Sequence, residues 1–199
     1  MSYRGLAVVL VATLTTQIVY ADGLYYGGGV AFYQSESKGA PDSTLTSSDE
    51  YAAIGLTAGY RVDRPGMFFG AEADLDIAGS NDFTERGYEC PNLVPSPYYC
   101  EHDATLRLRG VIGVPVGPLE GFASLGFAVM EGEAGSTPTS TDRGVNRGYT
   151  VGLGLQTEFG NGQVRLEMVY DELNHAVVNP GPGDPSFESI SAKLSYLFN

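Results

Sequence analysis

Eight stretches of the chain alternate apolar residues with polar or small ones, and this period of two limits the possible folds more than any other feature. They span residues 24–34, 51–61, 67–77, 104–114, 121–131, 147–159, 163–172 and 188–198. Alternation of this kind sends successive side chains to opposite faces of a strand. The third and fourth stretches show it most clearly. In the third, Phe69, Ala71, Ala73, Leu75 and Ile77 share one face, and Glu72, Asp74 and Asp76 take the other. In the fourth, Leu106, Leu108, Gly110, Ile112 and Val114 share a face, with Arg107 and Arg109 opposite. An antiparallel register that sets Glu72 beside Arg109 also sets Asp74 beside Arg107, and it keeps the two apolar faces together.

The connections between stretches alternate in length. Those at 35–50, 78–103, 132–146 and 173–187 are long, whereas Val62–Gly66, Pro115–Glu120 and Gly160–Gly162 are short. A strand needs about 9–11 residues to cross a bilayer. Long loops on one side and tight turns on the other are the pattern of a barrel in an outer membrane, with the turns in the periplasm. The apolar face continues through Leu24, Val30, Phe32, Ile54, Leu56, Leu125, Phe127, Leu153, Leu166, Met168, Ile190 and Leu194, and in all eight stretches it carries no charge. A soluble barrel would place Lys, Glu and Asp outward. Here the charges fall on the other face, so the apolar face is the outer one and meets lipid. The expected fold is all-β: an eight-stranded antiparallel up-and-down transmembrane β-barrel. Outward aromatics then fall at two levels. Tyr26, Tyr60, Phe69, Phe159, Tyr196 and Phe198 lie near the periplasmic rim, and Phe32, Tyr149 and Tyr170 near the outer one. Two such girdles are expected at the two interfaces.

Composition agrees. A chain of 199 residues makes one domain the default. Its net charge of -13 argues against binding a phosphate backbone, so no nucleic-acid partner is expected. Residues 1–21 read as a secretory signal: Arg4 supplies the positive start, Leu6 to Ile18 the apolar run, and Val19-Tyr20-Ala21 the small residues before a cut. Residues 22–199 are then the barrel domain, bearing the four long loops on the cell exterior. Export also permits a disulfide between Cys90 and Cys100. They enclose three prolines and two tyrosines in the second loop. A bridge there would stabilise the loop by about 3 kcal/mol.

The inward face combines glycines with charges. Gly27, Gly29, Gly55, Gly59, Gly70, Gly113, Gly126, Gly152 and Gly154 leave room for Glu72, Asp74, Arg107, Arg109, Glu158, Arg165, Glu167 and Lys193. Eight strands enclose space for filling side chains and not for a wide pore. Glu158 is expected opposite Arg165, and Glu167 opposite Lys193, forming a salt-bridged plug. Buried charges are tolerated only when paired.

Few residues suggest chemistry. His102 and His175 sit at the edges of the second and fourth loops with acids nearby, and both are expected to be solvated loop residues. No nucleophile motif accompanies them, and no pair has zinc-ligand spacing. The loop acids Glu36, Asp42, Asp49, Asp82, Glu85, Glu89, Glu101, Asp103, Asp142 and Asp184 show no calcium-loop spacing. No catalytic residue, metal or cofactor is expected.

Three segments carry a family resemblance: Gly27-Gly28-Gly29-Val30, Gly70-Ala71-Glu72-Ala73-Asp74-Leu75 and Lys193-Leu194-Ser195-Tyr196-Leu197-Phe198. The chain resembles the small outer-membrane β-barrels of Gram-negative bacteria, the group of opacity-type and OmpA/OmpX-like proteins. The resemblance implies an eight-stranded barrel with variable surface loops, adhesive or protective in role, and no shared catalytic residues. It implies outer-membrane lipid and lipopolysaccharide as surroundings, and a host or environmental ligand met through the loops. It also implies that the barrel assembly machinery reads the last strand. That strand usually ends on an aromatic; here Asn199 follows Phe198. The function expected is a non-enzymatic surface barrel with a lumen closed by salt bridges. The alternatives are a narrow solute or ion channel, or an outer-leaflet lipid-modifying enzyme using His102, His175 and nearby acids.

Overall fold

A computed structural model describes residues 23–38, 46–81, 84–85, 88–89, 99–137, 140–176 and 186–198. The expected signal segment, 1–21, lies outside the described residues. The strands are β1 (Gly23–Lys38), β2 (Thr46–Arg64), β3 (Met67–Ala78), β4 (Thr84–Glu85), β5 (Tyr88–Glu89), β6 (Tyr99–Val116), β7 (Leu119–Thr137), β8 (Ser140–Phe159), β9 (Gly162–Ala176) and β10 (Ser186–Phe198). Strands β4 and β5 form a small separate hairpin. The other eight close into a barrel in the order β1-β10-β9-β8-β7-β6-β3-β2, and every pairing is antiparallel. Closure through β1 and β10 removes the free edges that an open sheet would expose.

One end of the barrel is tight. Its turns centre on Pro65-Gly66, Gly117-Pro118 and Gly160-Asn161, and Gly66, Gly117 and Gly160 have φ of 80°, 61° and 63°. Glycine enters this left-handed region without the Cβ clash other residues meet. The other end is taller than the sequence pattern implies. The barrel strands run from 12 to 20 residues, against the roughly 9–11 needed to cross a bilayer. The surplus lies at the loop end. Residues 35–38 pair with 46–49, and Thr137 pairs with Ser140, so the expected loops 35–50 and 132–146 are largely strand. Strands also enter the edges of 78–103 and 173–187.

The alternation holds around the barrel. Phe127 is 77% exposed and its neighbour Ala128 is 0%. Leu24, Phe32, Ile54, Leu108, Leu125, Leu153, Leu166, Met168 and Leu194 are all exposed, whereas the charged residues between such positions are buried. Such an exterior is stable only against hydrocarbon. Outward charges begin at the ends: Arg64 by the turns, and Glu36, Glu50, Glu131, Arg147, Glu172 and Glu188 toward the loops. At that upper border the Tyr149 and Tyr170 hydroxyls both donate to Glu172.

Candidate functional site

The lumen is filled in layers. Nearest the turns, Arg61 pairs with Asp63 and with Glu120, both at 2.7 Å, and Gln156 donates to Glu120 at 2.8 Å. Above them Phe68, Val111 and Phe122 form an apolar layer, with Tyr25 and Leu197 also buried. Two charged layers follow. In the lower, Glu72 of β3 pairs with Arg109 of β6 at 3.0 Å and with Arg165 of β9, and it accepts from the Tyr25 hydroxyl. Arg109 also reaches Glu167 of β9 at 2.6 Å. In the upper, Arg107 of β6 holds Asp74 at 3.0 Å, Asp76 at 2.6 Å and Asp171 at 2.5 Å. Lys193 of β10 sits between Asp74 at 2.5 Å and Asp76 at 2.7 Å. Nearest the loops, Tyr33, Tyr51, Ala53, Ala128, Met130, Leu173 and Phe187 close the top.

Missing side chains make room for these contacts. A Cβ on Gly152 would lie 2.3 Å from a Glu167 carboxylate oxygen and 2.4 Å from Ser124 Oγ. One on Gly113 would lie 2.2 Å from the Phe68 ring, and one on Gly154 2.4 Å from the Phe122 ring. Gly113, Gly152 and Gly154 are therefore the counterpart of the filling, each leaving a hollow that a neighbour's side chain occupies, whereas Gly70 and Gly126 face the backbone of the adjoining strand.

The structure brings seven of the eight expected lumen residues into this network. The register places Glu72 opposite Arg109 and Asp74 opposite Arg107. Lys193 lies opposite Glu167 on the backbone, yet each side chain bonds across the lumen instead: Lys193 to β3, Glu167 to β6. The expectation for Glu158 is corrected. Gln156, and not Glu158, faces Arg165 and accepts from its Nε at 2.9 Å; Glu158 faces Gln163. The strands pair two residues out of step with the expectation because the turn is the two residues Gly160-Asn161.

His102 is the second correction. It is a strand residue of β6, only 4% exposed, and not a solvated loop residue. Its Nδ1 meets the Tyr51 hydroxyl, and its Nε2 lies 2.7 Å from Thr105 Oγ1. Among the described residues, no carboxylate is bonded to either ring nitrogen. The cause is a β-bulge: His102 pairs with Gly132 and Ala104 with Glu131, leaving Asp103 as the extra residue. Unbroken alternation would turn Asp103 inward and His102 outward; the bulge reverses them. The side chain of His175, the side chain of Cys100 and all of Cys90 lie outside the described residues. Asp76, Asp171, Tyr25 and Tyr33 belong to the network although they were not expected in it. Asp171 shares the inward face of β9 with Arg165 and Glu167, so continuing that face by four residues would have found it.

The model of the outer membrane protein β-barrel domain matches residues 5–198. The chain belongs to that family. It is an outer-membrane β-barrel protein, which accounts for the uncharged exterior. Among solved structures, the Neisserial surface protein A shares 11% identity with a TM-score of 0.54, covering 87% of this chain and 96% of its own. The attachment invasion locus protein Ail of Yersinia pestis shares 13% identity with a TM-score of 0.50, covering 89% of this chain and 100% of its own. At such identities the likeness is one of fold. No curated protein sequence matches.

Proposed function

We propose that the protein is a non-enzymatic barrel that presents an acidic tier of strands and loops at the cell surface while its lumen passes no solute. The observation that carries this reading is the filled lumen. Arg107 is 0% exposed and ties together carboxylates from β3 and β9, with a packed layer above and below. An ion crossing this region would have to displace paired charges, each costly to strand without its partner.

Charge distribution supports the presenting role. Residues 35–50, 78–103, 131–147 and 172–188 hold 15 of the 24 acids but only 4 of the 11 basic residues. Most of the net charge of -13 therefore belongs to the loop end. That tier suits a cationic surface ligand and repels nucleic acid. Lipopolysaccharide and outer-membrane lipid are the proposed surroundings of the exterior, and the barrel assembly machinery the reader of β10. His102, engaged by Tyr51 and Thr105, is not poised beside a carboxylate as a general base would be, which favours a non-enzymatic role. A signal segment at 1–21 and a Cys90–Cys100 bridge complete the proposal. Thiol labelling of intact cells should require prior reduction.

The test is conductance. Purified barrel in planar bilayers should give no large, steady single-channel current. Steady currents from the unmodified protein would replace this reading with that of a channel.

A further inference from the structure

The loop-end cap contains a buried imidazole that the filled lumen does not explain. His102 stands edge-on to two stacked tyrosines. Tyr33 and Tyr51 have centroids 5.0 Å apart and planes within 4°, and the imidazole meets them at 89° and 90°. The placement is specific. Beyond the Ile77–Ala104 pair, β6 runs on without β3 beside it, and Asn81 takes the place of that strand. Its Nδ2 donates to the His102 carbonyl at 2.7 Å, and its Oδ1 accepts from the His102 N–H at 2.7 Å. The bulge and the Asn81 clamp together hold one titratable ring inside an apolar cap.

We propose that His102 is a proton-operated latch on this cap: held inward when neutral, and swung to the rim when protonated, opening the upper lumen to water. The argument begins with the hydrogen bonds. A neutral ring has one donor and one acceptor nitrogen, which suits two hydroxyl partners, Tyr51 and Thr105. An imidazolium has two donors and a full charge, and a buried charge needs a partner. The groups facing it are Tyr33 from β1, Tyr51 from β2, Asp76 from β3, Arg107 from β6 and Asp171 from β9. Asp76 and Asp171 already bond to Arg107, and Tyr33 links Asp76 to Arg107 by donating to the first and accepting from the second at 2.7 Å. Met130, Asn146 and Phe187, the inward residues of β7, β8 and β10 at this level, carry no charge. Below the ring, therefore, lies a cation and carboxylates that are already engaged. At the rim lie Asp49 on β2, and Glu101 and Asp103, which flank His102 in β6, none of them fully buried. A protonated ring is drawn outward, toward water and away from Arg107, and the Tyr51 hydroxyl loses one of its partners, keeping Ser35 as another. The latch does not depend on whether the lumen conducts.

Hydrogen exchange of the full barrel in lipid, corrected for intrinsic rates, tests it. From about pH 8 to about pH 5, the range in which an ordinary imidazole titrates, segments 46–53 and 99–106 should lose protection by about tenfold. The His102 NMR signals should report the growing open form as the pH falls through this interval. Residues 108–114 should keep their protection. His102→Gln keeps an amide in the cap but cannot charge, so its exchange should not respond to this pH change. Tyr51→Phe removes one restraint on the ring, so its opening should begin at higher pH. Two results would overturn the latch: no pH-dependent opening in the unmodified chain, or the same opening in His102→Gln.

Discussion

At the turn end of the lumen, the Phe68 and Phe122 rings fill hollows left by Gly113 and Gly154, and two-residue turns tie the strands close by. At the loop end, Tyr33 and Tyr51 stack on one another, a bulge aims His102 between them and Thr105, and a side-chain amide stands in for a missing strand. Both caps are packed, but they differ in what would release them. The turn-end cap rests on shape, with hollows set by backbone and paired strands on each side. The loop-end cap rests on hydrogen bonds where β6 has lost β3. Local opening follows such differences in pairing and burial, so the loop end is the one built to open.

The largest expected effect tests what separates the caps. Arg107→Ala leaves Asp74, Asp76 and Asp171 without their guanidinium, and removing one member of a buried charge network typically costs about 3–5 kcal/mol. Urea unfolding in lipid vesicles should show that loss; a change below about 1 kcal/mol would mean that the middle layers do not join the ends. Gly113→Ala probes the turn-end cap. Its methyl would meet the Phe68 ring at 2.2 Å and the Gly121 carbonyl at 2.9 Å, so overpacking should cost about 1–3 kcal/mol. Gly144→Ala at the loop end, where a Cβ meets nothing within 4 Å, should stay within about 0.5 kcal/mol. Equal losses at the two glycines would erase the contrast between a shape-built and a bond-built cap.

A double-mutant cycle on Glu72→Ala and Arg109→Ala should give a coupling of about 0.5–3 kcal/mol, because the pair sits at 3.0 Å in one network. Additivity would show that Arg165 and Glu167 satisfy the two residues independently. The smallest loss expected from removing a contact belongs to the loop-end cap. Tyr51→Phe should cost about 1 kcal/mol, the net worth of one hydrogen bond. No loss at neutral pH would show that packing alone holds that cap.

What the sequence determined by itself was the sidedness of the barrel. Period two is a property of the strand backbone, so the faces of Phe69–Ile77 and Leu106–Val114 were legible without knowing any neighbour, as was the opposition of Glu72 to Arg109 on adjacent strands. Tertiary structure alone decided the bonds that cross the lumen. Arg107 with Asp171, Arg165 with Glu72, and Lys193 with Asp74 and Asp76 each join strands that are not neighbours. Those meetings depend on closure and stagger, which no pair of ladders contains. The position of His102 escaped for a different reason. One extra residue in β6 inverts the alternation from which every other inward side chain was read, and only the pairing with β7 records it.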